Sequence, residues 1–337
     1  MITELEFQSL AAEGYNRIPL ISEAFADLET PLSLYLKLCG GGGQGRNSFL
    51  LESVVGGERF GRYSFIGLPA RTLIRATGQR SEVVTDGAVV ETHEGNPLDF
   101  IAAFQDRIKP RIPTGLPRFC GGLAGYFGYE AVRAIEKRLA SAHKEGGLGT
   151  PDILLLQCEE LAVIDNLSGR LYLIVWADPR QPEAYFRATK KLTLLRDKLN
   201  YSVSMPRVPR SEAHPVTRGF AKADYLAAVQ KAKDYIAAGD LMQVQVGQRI
   251  SKPYKAEPIA LYRALRALNP SPYMYFYDLG EFQIVGASPE ILVREEHALD
   301  GEGKGSRKVT IRPLAGTRPR GATPERDLAL EAELQAD

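Results

Sequence analysis

Four short runs decide the fold class of this protein: Phe49-Leu50-Leu51, Tyr63-Ser64-Phe65-Ile66, Thr72-Leu73-Ile74-Arg75 and Ser81-Glu82-Val83-Val84. Each run is rich in aliphatic or aromatic residues and is bounded by Gly, Pro or Asp, which is the pattern of strands joined by turns. Strands that follow one another so closely pair antiparallel, because a tight turn can join them only in that direction. The sequence therefore predicts an antiparallel sheet.

Outside these four runs, further apolar runs predict strands, and apolar residues that recur about every 3.6 positions predict helices. Residues 153–156 and 171–176 read as two strands of a buried hairpin, joined across the turn at 165–169. Helices are predicted at 32–38, 98–108, 130–139, 182–198, 222–238 and 258–268, and strands at 241–250, 273–277, 282–285 and 291–294. The fold class is therefore α+β, with antiparallel sheets and helices packed outside them.

A change of composition predicts a domain boundary. Residues 202–219 contain three prolines, several basic residues and almost no periodicity, as linkers do. We predict an N-terminal domain at 1–201 and a second domain at 220–337. A length of 337 residues is enough for two domains.

Charge and cysteine content argue against several classes of protein. The 42 basic and 41 acidic side chains leave a formal charge of +1, which gives no excess positive field for nucleic acid or for an anionic membrane. No apolar run is long enough to span a bilayer, and the N-terminus has acids where a signal peptide has basic residues, so we expect a cytoplasmic protein. Cys39, Cys120 and Cys158 have no CxxC spacing, which predicts reduced, buried thiols.

Common catalytic motifs are absent from the sequence. Residues 40–45 have the glycine spacing of a phosphate loop, but Arg46-Asn47 stands where that loop has Lys and then Ser or Thr, so we predict a flexible loop. The four histidines show no HExxH spacing, and no serine lies in a GxSxG motif.

Three segments carry polar groups that local structure does not require. Glu52 and Ser53 interrupt an apolar strand, prolines stiffen the loop at 269–272, and residues 311–321 place Gly-Thr beside Arg and Pro. The last arrangement suits a carboxylate ligand, because it offers backbone N–H groups, a hydroxyl and guanidinium groups. Local pattern favours a strand end for the first segment and a helix-to-strand connection for the second. It does not choose between a carboxylate site and a rigid basic turn for the third.

Taken together, the motifs resemble the anthranilate synthase component I family of chorismate-utilising lyases. They read LLESV (50–54), GRYSFIG (61–67), GGLAGYFGYE (121–130), GDLMQVQVGQR (239–249), NPSPYM (269–274), GASPEILVR (286–294) and RPLAGTRPRG (312–321). The resemblance implies conversion of chorismate and ammonia to anthranilate and pyruvate. It also implies feedback inhibition by tryptophan, a Mg²⁺ cofactor and a glutamine amidotransferase partner, anthranilate synthase component II.

The resemblance also implies site residues. Tryptophan would bind at Glu52, Ser53, Pro272, Tyr273 and Met274, and chorismate at Gly316 and Thr317. Glu52 suits the ammonium group of an amino acid, while Tyr273 and Met274 suit the indole. Relatives that make isochorismate or aminodeoxychorismate carry a lysine at the position of Gln243 or Ala315, which favours anthranilate as the product here.

The resemblance implies an N-terminal regulatory domain at 1–201 and an incomplete chorismate-binding catalytic domain at 220–337, because the family continues beyond the point where this sequence ends. Its magnesium-ligating glutamates and catalytic histidine would follow Asp337, so no catalytic or metal residue is assigned within the chain, and we expect the chain alone to be inactive. Thr323 and Pro324 predict the start of a last helix, whose acids read as a solvated face. The alternatives are an aminodeoxychorismate synthase component I and a catalytically inactive tryptophan-binding fragment.

Overall fold

Two antiparallel sheets with helices packed against them form most of the described structure, which confirms the α+β class. The computed structural model describes residues 1–40, 46–54, 61–139, 147–204, 206, 214–299, 305–312 and 316–336. The helices are α1 (Glu4–Ala12), α2 (Pro31–Cys39), α3 (Pro97–Asp106), α4 (Ala184–Lys198), α5 (Lys222–Ala238), α6 (Pro258–Leu268) and α7 (Pro324–Ala336). The strands are β1 (Ile18–Phe25), β2 (Ser48–Glu52), β3 (Tyr63–Gly67), β4 (Thr72–Thr77), β5 (Arg80–Thr85), β6 (Ala88–Glu94), β7 (Gly122–Phe127), β8 (Ile153–Cys158), β9 (Glu160–Asp165), β10 (Arg170–Ala177), β11 (Thr217–Arg218), β12 (Ile250–Ser251), β13 (Tyr273–Asp278), β14 (Gln283–Ser288), β15 (Arg294–Leu299) and β16 (Gly305–Thr310).

The larger sheet has seven strands in the order β1-β10-β9-β3-β2-β13-β14. Every neighbouring pair is antiparallel. Its central strands are buried almost throughout, as their continuous apolar sequences require, and α4 packs on β10 and β1. The pairing of β13 with β2 brings residues far apart in sequence into one ladder.

The second sheet has five strands in the order β6-β5-β4-β8-β7. The main core cluster combines side chains from both sheets, such as Phe49 and Ile174 from one and Leu154 and Leu156 from the other. Trp176 lies in this cluster, and its indole Nε1 donates to the carbonyl oxygen of Cys120 at 2.6 Å. The buried polar atom of the tryptophan is thereby satisfied.

The predicted hairpin of residues 153–156 and 171–176 is wrong in its first strand. Across the turn at 165–169, β10 pairs with β9, whereas β8 pairs with β4 and β7 in the other sheet. The apolar run from 153 to 164 contains two strands that part at Glu159, where the chain passes from one sheet to the other. Both strands are buried on both faces, so apolar content alone does not reveal the break.

Three other predicted elements need correction. Residues 130–139 form two short 3₁₀ helices, Tyr129–Ala134 and Lys137–Leu139, preceded by the unpredicted strand β7. Residues 241–249 are irregular and largely exposed, and of the strand predicted at 241–250 only Ile250 is paired, as part of β12. The strand predicted at 291–294 begins only at Arg294. In the first two cases, a helical or alternating pattern lacks the tertiary partner that would stabilise the regular element.

The described structure divides into two compact units. One unit combines residues 1–202 with 265–337, and the other comprises residues 203–264. The first break coincides with the predicted start of the linker, although β13, from the predicted second domain, belongs to the same sheet as β2. The predicted division into an N-terminal and a catalytic domain stays a prediction.

Several predictions lie partly or wholly outside the described residues. These are the glycine-rich loop beyond Gly40, much of the linker, Ala315 and Asp337. The three cysteines are all described, buried and free, as predicted. Among the described helices, none combines the length and the apolar character needed to cross a membrane.

Candidate functional site

The structure brings the five predicted tryptophan-binding residues together at one end of the β2–β13 ladder. Met274 lies opposite Glu52 in the register, and Val54 N donates to the carbonyl oxygen of Ser271 at 3.2 Å just beyond the paired residues. The prolines of the 269–272 loop therefore end beside the strand that carries Glu52 and Ser53. We call these five positions, Glu52, Ser53, Pro272, Tyr273 and Met274, the ladder-end cluster.

Burial within the ladder-end cluster is uneven. The side chain of Glu52 is 1% exposed, and Met274 is buried to the same degree. Ser53, Pro272 and Tyr273 are half-buried, so that polar and aromatic groups face a boundary with solvent. The cluster thus combines a buried carboxylate and a buried thioether with partly exposed polar and aromatic side chains.

The carboxylate of Glu52 accepts a hydrogen bond from Nε of Arg266, and the two side chains form an ion pair. Arg266 lies in the last turn of α6, and Asn269 N donates to the Leu265 carbonyl oxygen at 2.8 Å as the helix ends. Sequence reasoning missed Arg266. Two features of the sequence point to Arg266. A buried acid needs a cation, and a basic side chain lies near the end of the helix that leads into the predicted loop.

A small cavity of about 60 Å³ adjoins this cluster. It is lined by Pro272, Tyr273, Pro289, Glu290, Ile291 and Arg312. Three of the sequence motifs therefore meet there, namely NPSPYM, GASPEILVR and the first residue of RPLAGTRPRG. A cavity of this size is far below the several hundred Å³ typical of small-molecule sites, so an indole requires neighbouring side chains to move.

Tyr273 connects the cavity to the next hairpin. Its hydroxyl accepts a hydrogen bond from Nη2 of Arg294 at 3.4 Å, and Arg294 begins β15. Ser271, buried in the preceding loop, donates through Oγ to the carbonyl oxygen of Asn269 at 3.3 Å. The loop that presents Pro272 and Tyr273 is thus held by its own hydrogen bonds as well as by its prolines.

The two predicted chorismate-binding residues lie in an irregular, exposed segment. Gly316 has a φ of +87°, a backbone conformation that glycine adopts readily, and Thr317 follows it. Neither residue is among the described residues that line the small cavity. The structure therefore does not place them in the ladder-end cluster.

Ion pairs tie this segment to α7. Arg318 Nε lies 2.8 Å from a carboxylate oxygen of Glu333, and Arg320 Nη1 lies 3.1 Å from one of Asp327. Thr323 Oγ accepts from Arg326 N at 3.3 Å, in agreement with the predicted start of the helix. Two acids of α7 thus pair with arginines of the proposed substrate segment.

The described residues contain no group of three or more His, Cys, Asp and Glu side chains that could hold a metal ion. The magnesium site implied by the resemblance therefore has no counterpart among them. Gln243, one of the two positions used to choose among products, lies exposed in the irregular stretch after α5.

Comparison with known proteins agrees with the motifs. Residues 48–337 match the family described as chorismate binding enzyme. The chain is 53% identical to anthranilate synthase component 1 of Neisseria meningitidis serogroup B over all of its length and 67% of that protein. It is 50% identical to anthranilate synthase component 1 of Pseudomonas aeruginosa, over 98% of the chain and 66% of that protein.

A solved structure is similar as well. The crystal structure of anthranilate synthase component I from Streptococcus pneumoniae TIGR4 superposes with a TM-score of 0.57 at 26% identity, over 80% of this chain and 58% of that chain. The chain thus spans about two thirds of the length of the relatives that it matches in sequence.

Proposed function

The chain belongs to the chorismate binding enzyme family, and from that premise we propose that it acts as the chorismate-consuming component of an anthranilate synthase. The proposed reaction converts chorismate and ammonia into anthranilate and pyruvate. The observation that carries this proposal is identity of about one half, over nearly the whole chain, to relatives named anthranilate synthase component 1. Gln243 and Ala315, in place of the lysines of other chorismate-utilising enzymes, support the same product.

The proposal includes a partner and a cofactor. A glutamine amidotransferase subunit, anthranilate synthase component II, would release ammonia from glutamine, as the name component 1 in the relatives suggests. Mg²⁺ would assist the reaction, although the described residues supply no cluster of ligands for it. We also propose that the protein acts in the cytoplasm, the location that the sequence predicts.

Product analysis tests the reaction directly. We would compare the 337-residue chain with a chimera in which the C-terminal third of the Neisseria meningitidis relative follows Asp337. Each would receive chorismate, Mg²⁺ and ammonium, and the product would be identified by chromatography. We expect anthranilate and pyruvate from the chimera. Accumulation of 4-amino-4-deoxychorismate or isochorismate would overturn the assignment.

We further propose that tryptophan binds the ladder-end cluster and inhibits the reaction. Support comes from the adjacency of all five predicted positions on β2, the 269–272 loop and β13. A buried carboxylate beside apolar side chains suits a ligand with an ammonium group and an aromatic ring.

This adjacency also favours a second candidate function, a tryptophan-binding module without catalysis. Isothermal titration calorimetry of the 337-residue chain with tryptophan tests the module, and product analysis of the chimera separates it from the enzyme. Tryptophan binding by the chain, together with no product from the chimera, would support the module. A folded chain that shows no heat of binding with tryptophan would exclude it.

A further inference from the structure

The carboxylate of Glu52 is the most buried charge of the ladder-end cluster, and it already has a cation. Its side chain is 1% exposed, and Arg266 donates to it through Nε. A carboxylate so far from water is strongly destabilising unless a cation compensates it. In the ligand-free chain Arg266 supplies that compensation.

The two members of the pair differ in their access to solvent. The Arg266 side chain is 39% exposed, whereas that of Glu52 has almost no contact with water. Arg266 can therefore swing outward and recover its hydration, and the last turn of α6 favours a cation there through the helix dipole. Glu52 sits within β2 and has no comparable freedom.

Space in the ladder-end cluster is limited. The cavity lined by Pro272 and Tyr273 measures about 60 Å³, room for about two water molecules. A ligand ammonium and the guanidinium of Arg266 would compete for the same carboxylate, because a side chain that is only 1% exposed leaves little room for two cationic donors, which also repel each other. We therefore expect one cationic donor at a time on Glu52.

We propose that tryptophan binds by cation exchange: its ammonium replaces the guanidinium of Arg266 on Glu52, and Arg266 moves toward solvent. This inference rests on the proposed effector site and adds to it a residue that opposes binding. Arg266 thereby sets the affinity, since each effector molecule must break the ion pair before its own ammonium is accepted.

The exchange predicts that substitution of Arg266 strengthens tryptophan binding. Replacing Arg266 by Met removes the competitor and leaves a buried acid without a cation, so tryptophan should bind more tightly, by about fivefold or more if the coupling has an ordinary size. If Arg266 instead contacted tryptophan favourably, the same substitution would weaken binding. The two arrangements therefore predict opposite changes in Kd.

Calorimetry on the full 337-residue chain is the test, with wild type, Arg266→Met and Arg71→Met compared. Arg71 pairs with Asp86, and both side chains are exposed, so its substitution is a matched control that should leave Kd unchanged. We expect a lower Kd for Arg266→Met alone. Equal or weaker binding by Arg266→Met, with binding by wild type intact, would overturn the exchange and leave the effector site standing. If neither wild type nor Arg266→Met binds tryptophan, the effector site and the exchange are both overturned.

A measurement on wild type covers the case in which Arg266→Met does not fold. The Nε–H of Arg266, assigned by its absence in Arg266→Lys, should exchange slowly with solvent in the free chain and fast when tryptophan is saturating. Unchanged slow exchange in a saturated sample would contradict the proposal.

Discussion

Glu52 and Arg266 are separated by most of the chain, yet their side chains form one ion pair. Sequence alone marks Glu52 as an acid in an apolar strand, and the resemblance assigns it to a ligand ammonium. The tertiary structure adds the cation that holds the acid in the absence of ligand. A residue that looks available in the sequence is therefore already engaged, which changes what binding at this place must displace.

A substitution of Met274 in the chimera described above tests the proposed tryptophan site. Met274→Thr should raise the tryptophan concentration for half-inhibition at least about tenfold, because Met274 is buried opposite Glu52 and loses apolar contact with the indole. The turnover rate should change much less. Steady-state assays with and without tryptophan measure both. Leu28→Thr, at a side chain that is 93% exposed, is the control. Equal losses of turnover and inhibition would contradict the pocket.

The three cysteines carry a prediction about reactivity. Burial raises the pKa of both the Cys39 and Cys158 thiols to about 12, and it also raises the pKa of Cys120. Since the thiolate is the reactive form, all three should resist a disulfide reagent in the native chain at pH 8 and react after unfolding in guanidinium. Absorbance of the released thiolate measures the count. Rapid labelling of one cysteine in the native chain would show that its burial is incomplete.

Among the elements, β7 lies in close backbone contact with its neighbour at Gly125. A Cβ on Gly125 would lie 2.0 Å from the carbonyl oxygen of Leu154, in the neighbouring strand β8. Backbone of a paired strand cannot move aside without breaking the ladder. The glycines of the 121–130 motif thus have a structural explanation at this position.

Gly125→Ala should consequently lower the free energy of unfolding by about 2–3 kcal/mol, the upper part of the range for overpacked sites. Urea denaturation followed by circular dichroism measures the change. Gly147→Ala is a suitable control, because an added Cβ there meets, among the described residues, only one atom within 4 Å, at 3.9 Å. Equal stability of the two variants would mean that β7 does not pair closely with β8 at Gly125.

At the scale of the whole molecule, ligand binding should appear as a change in stability. Tryptophan at about one hundred times its Kd should add about 2.7 kcal/mol to the free energy of unfolding, since it binds only the folded chain, and raise Tm by a few degrees. N-acetyl-tryptophan lacks the ammonium that Glu52 would accept and should have little effect. Differential scanning calorimetry of the 337-residue chain measures both. Equal stabilisation by the two compounds would show that Glu52 does not recognise the ammonium.

Much of the architecture was determined by the sequence itself. The alternating and apolar runs of residues 48–91, the periodic helices at 182–198 and 222–238, and the stop at Gly239 all follow from local preferences, and the structure contains each of them. The ordered motifs likewise determined the family without any coordinates. These features depend on neighbouring residues, so a linear reading can find them.

Which strands pair and which charged side chains form ion pairs depends on tertiary contacts. The break at Glu159 between two buried strands, the lack of pairing at 241–249, and the ion pair of Glu52 with Arg266 depend on segments distant in sequence. A buried strand has the same apolar composition in either sheet, and a buried acid does not specify its cation. Long-range contacts determine these pairings, because the free energy of burying a residue depends on the residues it packs against as well as on its own type.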